Sequence, residues 1–267
     1  MRPRIFSSRL LERTLTYCAL LVCVGIAGVP VFANTGTVVV RENVSAAKRE
    51  QLASRLRVIT GLTSLSFDNA GVLLLGTSLA KTGSHSARQL LTQAVTGDKL
   101  IIIEDASGRN DVAFCRVVPG RWLTAAGDKL SAFVVLIDFS DFRQLIGDEE
   151  ARAAFDVGWG FLHELDHVIA DSKDPEEQGV VGECEAHINA MRREVGLPQR
   201  VDYFFTASSL KVDPNFSTKL VRLPFERYDN NKSRRRRYWI VWDSTTVGGL
   251  VVNSQTAAVR AAHTSAK

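Results

Sequence analysis

The sequence predicts an α+β fold in which a mixed sheet packs on helices and a small β-rich part follows at the C-terminal end. Between residues 45 and 139, segments with apolar residues at three- and four-residue steps are interspersed with short runs rich in β-branched residues. Beyond residue 205 the recognisable elements are strand-like, at residues 220–225 and 238–242. With 45% hydrophobic residues, the chain has enough apolar side chains to form a globular core.

The individual elements follow from these patterns. Residues 45–60 and 84–95 are predicted to be helices with Ser45 and Ser84 as N-caps, because a serine oxygen accepts hydrogen bonds from the first helical turn. A further helix is expected from about residue 148 to 170, where acidic residues crowd the start and apolar residues recur at helical spacing. Strands are expected near residue 65 and at residues 72–75, 100–104, 112–118 and 132–139.

The N-terminal segment has the organisation of a secretory signal peptide. Four arginines precede an apolar run over residues 15–32, which ends in Val31-Phe32-Ala33, so cleavage is expected after Ala33. The expected organisation is a signal at 1–33, a main domain at 34–205, a β-rich extension of that domain at 206–255 and a flexible tail at 256–267. The mature protein is therefore predicted to be exported, periplasmic or extracellular, without a stable membrane anchor.

Removal of the signal changes the charge of the protein. The signal carries four arginines and one glutamate, so the formal net charge falls from +4 to +1 on cleavage. No nucleic-acid partner is therefore expected from the overall charge. One basic run remains, just before an aromatic strand-like segment, and its exposed arginines offer a second type of function, the binding of cell-envelope polymers; its members are Arg234, Arg235, Arg236 and Arg237.

The most informative motif is His163-Glu164-Leu165-Asp166-His167, which reads H-E-x-x-H inside the predicted 148–170 helix. Two histidines four residues apart project from one helix face, so both imidazoles can reach the same cation. A glutamate directly after the first histidine can stand beside the metal without binding it and take a proton from water. The motif predicts a site for one Zn²⁺ ion with His163 and His167 as ligands and Glu164 as general base.

This motif resembles that of the zincin metallopeptidases, and the resemblance implies a zincin-like fold, in which the edge strand of a sheet lines the substrate cleft beside the motif helix. The metzincin branch would have glycine at 170 and histidine or aspartate at 173, where this chain has Ala170 and Lys173. The gluzincin branch takes a glutamate from a second helix, here residues 182–194. The resemblance therefore implies Glu185 as the third ligand, with Asn189 one turn later as a hydrogen-bond partner for a ligand histidine.

Other residues remain open as the third ligand. Glu183 lies on the same predicted helix but roughly 200° around its axis from Glu185. Further candidates are Asp171, Asp174, His187 and the thiol of Cys184.

A fainter similarity connects residues 163–203 with zinc peptidases of bacterial effectors and polymorphic toxins. It rests on the pattern N-x-x-R-x-E-x-G-L-P-x-R-x-x-Y, which begins at Asn189 and ends at Tyr203. Tyr203 is then either a donor to a tetrahedral oxyanion or a half-buried aromatic residue in a strand-like run at 201–205.

Cys115 and Cys184 remain after signal removal, and in an oxidising compartment these two residues can form one disulfide.

Together these features predict an exported zinc-dependent peptidase that acts on a peptide or protein substrate. Two alternatives belong to other classes: a non-catalytic protein in which zinc has a structural role, and an envelope-binding protein that uses the basic run. A nuclease has less support, because two-metal phosphodiester chemistry needs a cluster of aspartates that the sequence does not suggest.

Overall fold

Six helices and eleven strands make up the part of the chain that the computed structural model describes, which is residues 37–123, 127–213, 216–229 and 234–248. The expected signal at 1–33 and the tail at 256–267 lie outside these residues. The elements in chain order are β1 Thr37–Val40, α1 Ala46–Thr60, β2 Ser66–Phe67, β3 Leu73–Leu74, α2 His85–Thr96, β4 Leu100–Asp105, β5 Cys115–Leu123, β6 Lys129–Ile137, α3 Phe139–Arg143, β7 Ile146–Gly147, α4 Glu149–Ala153, α5 Val157–Ala170, α6 Gly182–Glu194, β8 Gln199–Arg200, β9 Thr206–Asp213, β10 Phe216–Asp229 and β11 Arg234–Asp243.

A four-stranded mixed sheet with the order β1-β4-β6-β5 forms the first layer. Strands β1, β4 and β6 are parallel, and β5 pairs antiparallel with β6 at the edge. Helices α1, α2, α5 and α6 share one core with a face of this sheet, to which Ile101, Ile103, Val135 and Ile137 contribute alternating side chains. The opposite face of the same strands forms a smaller cluster. The sheet is therefore covered by helices on the side where β5 meets α5.

A second antiparallel sheet follows, with the order β7-β11-β10-β8 and with β9 paired to β10. Its long hairpin of β10 and β11 buries alternating residues in a separate aromatic-rich core, as the period of two in a strand requires. These buried residues are Val221, Leu223, Phe225, Tyr238, Ile240 and Trp242. Strands β9, β10 and β11 fall within residues 206–255, where a β-rich part is expected, whereas β7 and β8 come from earlier in the chain.

The observed architecture confirms the predicted α+β class, and several boundaries differ from the expectations. The expected 148–170 helix is two helices, because Asp156 accepts hydrogen bonds from the backbone N–H groups of Gly158 and Trp159 and so starts α5 anew. Residues 201–205 are not a strand, and β9 begins only at Thr206. Ser45 and Ser84 cap α1 and α2 as expected. Within the described ranges, no helix is both long enough and apolar enough to span a membrane.

Candidate metal centre

Helix α5 carries the H-E-x-x-H motif and is held closely between α1 and β5. A Cβ atom at Gly160 would lie 2.9 Å from both Cys115 Sγ and Phe142 Cζ, and one at Gly158 would lie 2.8 Å from Ile59 Cδ1. These separations are shorter than ordinary van der Waals contacts, so the two glycines permit an approach that a larger residue would prevent. Gly158 and Gly160 therefore allow α5 to lie close against its neighbours.

The two histidines of the motif direct one ring nitrogen each to a common point. His163 Nε2 and His167 Nε2 are 3.2 Å apart, and the two ring planes are nearly perpendicular, at 86°. The side chains are 12% and 18% exposed, so both rings lie largely within the protein. The i, i+4 spacing thus brings the two rings together on one face of the helix.

A tight turn after α5 returns the chain to the histidines. Asp171 ends the helix in the left-handed conformation, with φ of 54°. The following residue, Ser172, offers its carbonyl oxygen 2.8 Å from His167 Nδ1, and its hydroxyl donates to Asp166 Oδ2 at 2.6 Å. Asp166 Oδ2 also lies 2.9 Å from His187 Nδ1 on α6. Asp166 thereby holds the turn to both helices.

This turn places Asp174 against the histidines. Asp174 Oδ1 lies 3.2 Å from His163 Nε2, and Asp174 Oδ2 lies 3.4 Å from His167 Nε2. With the buried Cys184 Sγ of α6, these side chains form a group in which the four candidate ligand atoms lie within 4.8 Å of one another. Asp174 Oδ1 is buried and makes no hydrogen bond. Asp174 and Cys184, both minor candidates from the sequence, are therefore the residues that the fold brings to the histidine pair.

Glu185 lies on the other side of the His163 ring, which differs from its predicted role as third ligand. Its Oε2 atom is 3.4 Å from His163 Nδ1 and 3.1 Å from Arg200 Nη1, and its Oε1 atom accepts a hydrogen bond from Arg192 Nη1. The carboxylate is 1% exposed. The reason for the difference is that two arginines and the rear nitrogen of His163 occupy this carboxylate, while the nitrogen that faces His167 is approached by Asp174.

The hydrogen bonds behind the histidines define which nitrogens carry lone pairs. Because the Ser172 carbonyl is only an acceptor, His167 Nδ1 is the protonated nitrogen in the neutral ring. The Glu185 carboxylate is likewise an acceptor, so Nδ1 is also the protonated nitrogen of the neutral His163 ring. Burial raises the pKa of Glu185, but Arg192, Arg200 and His163 outweigh it and hold this pKa well below the usual range. In their neutral state both rings would present unprotonated Nε2 atoms to the Asp174 carboxylate, an arrangement that favours a shared cation or proton between them.

The spacing of these atoms fits a small tetrahedral ion. Ligand atoms about 2.1 Å from one ion at the tetrahedral angle are roughly 3.4 Å apart. The two Nε2 atoms are 3.2 Å apart, and those of His163 and His167 lie 3.2 Å from Asp174 Oδ1 and 3.4 Å from Asp174 Oδ2, respectively. Two imidazoles and a carboxylate are a donor set typical of zinc. The residues present therefore fit a zinc ion.

Protons take the place of the cation when no metal is bound. Burial lowers the pKa of His167, but the hydrogen bonds with Asp174 and Cys184 outweigh it and raise the pKa to about 11. Burial raises the pKa of Asp174, yet its contacts with His163 and His167 hold this pKa far below its ordinary value. The same three residues that suit a metal thus form a charged cluster without one.

Glu164 stands at a cavity beside this cluster. The cavity has a volume of about 260 Å³, and both His163 and Glu164 line it. Glu164 is 8% exposed, and its Oε2 atom accepts a hydrogen bond of 2.9 Å from the backbone N–H of Val117 in edge strand β5. Burial raises the pKa of the Glu164 carboxyl, while the two histidines lower it. The arrangement suits a carboxylate that exchanges a proton with a molecule in the cavity.

Tyr203 covers the His163 ring from the segment between β8 and β9. The two rings are stacked with an interplanar angle of 23° and a centroid distance of 6.1 Å. The Tyr203 hydroxyl donates to Asp174 Oδ2 at 2.6 Å. Burial and the neighbouring Asp174 raise the pKa of this hydroxyl, so it remains a donor at neutral pH.

Of the remaining sequence candidates, Glu183, Asp171 and Asn189 lie outside the cluster. Glu183 and Asp171 are exposed. Asn189 does not contact a histidine; it accepts hydrogen bonds from Arg192 Nη1 and the Arg200 N–H. Cys115 and Cys184 are free thiols, and Cys184 Sγ donates to the His163 carbonyl oxygen at 3.4 Å. The basic run, Arg234–Arg237, forms the exposed beginning of β11.

Comparisons with known proteins return no match to a family model, to a curated protein or to a solved structure.

Proposed function

We propose that this protein is an exported zinc-dependent peptidase of zincin type, in which a glutamate activates water for attack on a peptide bond. One observation carries the proposal: the Nε2 atoms of His163 and His167 and the Asp174 carboxylate converge at zinc-ligand spacing, with Glu164 beside them at a cavity. The H-E-x-x-H motif gives His163, Glu164 and His167 a joint use. Export is proposed from the N-terminal sequence alone.

In this proposal His163, His167 and Asp174 hold the metal. The Cys184 thiol makes a hydrogen bond with the His163 carbonyl, so we assign it to supporting the helix rather than to the metal. Three protein ligands leave one position for water or substrate, which is the pattern of catalytic zinc sites. Zinc bound there would supply Lewis acidity and lower the pKa of water.

The other residues have distinct roles. Glu164 takes the proton of the attacking water and passes it to the leaving amine, while the Val117 N–H keeps its carboxylate in place. Glu185 orients His163 through Nδ1, and Ser172 orients His167 in the same way. Tyr203 holds the Asp174 carboxylate through its hydroxyl, and we therefore prefer this role to oxyanion stabilisation.

A structural zinc site is the second candidate, and the position of Cys184 favours it. If the Cys184 sulfur were a fourth ligand, two histidines, an aspartate and a cysteine would close the coordination, as in non-catalytic sites. The envelope-binding alternative rests on the exposed arginines of β11. Of these, Arg235 and Arg237 already pair with Glu226, which reduces the positive charge they present.

The test compares the mature wild-type protein with Glu164→Gln and with Glu183→Gln, a matched change at an exposed glutamate of α6. Metal content is measured on all three proteins, and hydrolysis of an unstructured protein is followed in parallel. We expect about one zinc per chain in each case. Glu164→Gln should reduce hydrolysis roughly 10²–10⁴-fold, the usual contribution of a general base, whereas Glu183→Gln should leave it unchanged.

The outcomes separate the candidates. Zinc without hydrolysis in the wild type would favour the structural site, and loss of that zinc in Cys184→Ser would identify the sulfur as a ligand. Absence of bound zinc from the wild type after incubation with zinc would overturn both metal proposals and leave the envelope-binding alternative.

A further inference from the structure

The cavity beside Glu164 has a largely aromatic lining. It lies between α5, the residues that lead into β5, the segment after β8 and the inner face of the C-terminal sheet. Apart from the residues already assigned to the metal centre, its walls consist mainly of large apolar side chains, which include Phe114, Phe155, Phe204, Phe205, Leu223 and Trp242.

The aromatic rings pack on each other rather than filling the cavity. Phe114 contacts Phe155 and Trp242 edge-to-face, with centroid distances of 5.2 and 5.3 Å. Phe205 meets Trp242 in a similar way at 5.9 Å. Edge-to-face contacts of this kind fix the rings in a rigid wall, and the ring edges and faces that line the cavity favour another aromatic ring.

The charged groups of the lining compensate one another. Glu185 pairs with both Arg192 and Arg200, and Arg192 also donates to the Ala154 carbonyl. Arg200 Nε donates to the Asp202 carbonyl at 3.0 Å. A charged substrate side chain that entered the cavity would lose its hydration and find these partners already occupied, which is unfavourable.

The size of the cavity suits a ring. An apolar cavity of about 150 Å³ accommodates benzene. The present cavity, at about 260 Å³, therefore has room for a benzyl or indolyl group next to the metal centre.

We propose that this cavity is a specificity pocket that binds an aromatic side chain of the substrate residue flanking the scissile bond. The inference rests on the proposed peptidase function, because it assigns the cavity to the substrate of that reaction. His163 and Glu164 line the same cavity, so a ring seated there would lie directly beside the proposed general base.

The test uses the zinc-loaded mature protein. Cleavage sites in an unstructured protein are first mapped, and kcat/KM is then measured for peptides that carry Phe, Ala or Glu at the residues on either side of the cleaved bond. We expect kcat/KM with Phe at one of these positions to exceed that with Ala by at least ~100-fold, because even one methylene group is worth roughly 10–200-fold in such pockets. Glu should be a poorer substrate residue than Ala.

Phe205→Ala removes one half-buried ring from the wall of the cavity. As the matched control, Phe67→Ala removes a half-buried ring from the core between the four-stranded sheet and its helices. Phe205→Ala should lower the Phe-to-Ala ratio of kcat/KM about tenfold, whereas Phe67→Ala should leave the ratio unchanged. Ala113→Leu, which narrows the same cavity, provides a second variant that should also lower the ratio.

A binding measurement separates failure of the pocket from failure of the peptidase. Trp159 and Trp242 line the cavity, so N-acetyl-phenylalaninamide should change the tryptophan fluorescence and N-acetyl-alaninamide should not. Binding without hydrolysis of any peptide would reject the peptidase and retain an aromatic-binding pocket. Hydrolysis with equal kcat/KM for Phe and Ala peptides, or an unaltered ratio in both cavity variants, would overturn the pocket.

Discussion

Replacement of Asp174 by asparagine tests the metal centre most directly, because it separates Asp174 from Glu185 as the third ligand. Asparagine has nearly the same shape and can still accept the hydrogen bond of the Tyr203 hydroxyl. It lacks the negative charge that faces the two histidine Nε2 atoms. Glu185→Gln makes the corresponding change on the other side of His163.

The two variants should differ in both metal affinity and stability. Structural zinc sites bind with about 10–16 kcal/mol over four ligands, so one ligand is worth roughly 3 kcal/mol, or at least about 100-fold in zinc affinity. Asp174→Asn should weaken zinc binding by this amount. In the metal-free protein it should also lower stability, because the carboxylate then pairs with His163 and His167, but by less than the loss of a fully buried ion pair, since the side chain is 33% exposed. Glu185→Gln should weaken zinc binding only about 10–100-fold, as expected of a residue that orients a ligand. It should cost roughly 3–5 kcal/mol of folding free energy, because Arg192 would keep its charge in the interior without a carboxylate.

The assay combines zinc titration against a chromophoric chelator with urea unfolding in the presence of a chelator, for both variants and the wild type. Equal zinc affinity of Asp174→Asn and the wild type would refute the assignment of Asp174. A folded Glu185→Gln protein that fails to bind zinc would support the original gluzincin-like prediction instead.

Two further changes test the supporting structure. Burial raises the pKa of Asp141 to about 6 from 3.8, with Asp138 adding to the rise and hydrogen bonds from Phe114 N and Gly248 N opposing it. Because the folded state holds this proton more tightly, stability should fall as pH rises from about 4 through about 6, by roughly 3 kcal/mol. Asp141→Asn should remove this part of the pH dependence of the free energy of unfolding, measured with urea between pH 4 and 7.5. An unchanged dependence of stability on pH in this variant would contradict the raised pKa of the buried Asp141 carboxyl. Gly160→Ala should force α5 away from Cys115 and Phe142, which should lower the free energy of unfolding by about 1–3 kcal/mol and reduce hydrolysis. Unaltered urea unfolding and hydrolysis would show that the helix does not need this close approach.

Local sequence patterns determined much of the architecture around the site. Ser45 and Ser84 identify two helix starts, because N-capping depends on a side chain and the backbone three residues later. The i, i+4 spacing of His163 and His167 was sufficient to predict that their rings meet, since a helix fixes that geometry by itself. The apolar runs at 100–104 and 132–139 likewise marked two central strands, β4 and β6. Each of these inferences needs only neighbours within one or two turns.

Only the tertiary structure decided which residue completes the cluster. Asp174 reaches the histidines because Asp171 adopts a left-handed conformation and the turn is fastened through Ser172 to Asp166, contacts that no spacing rule predicts. Glu185 is drawn to the rear of His163 by Arg192 and Arg200, and Arg200 comes from a strand after its helix. The aromatic cavity likewise joins residues from both sheets. Long-range packing, which balances burial against charge pairing across distant segments, selects among carboxylates that the local sequence leaves equivalent.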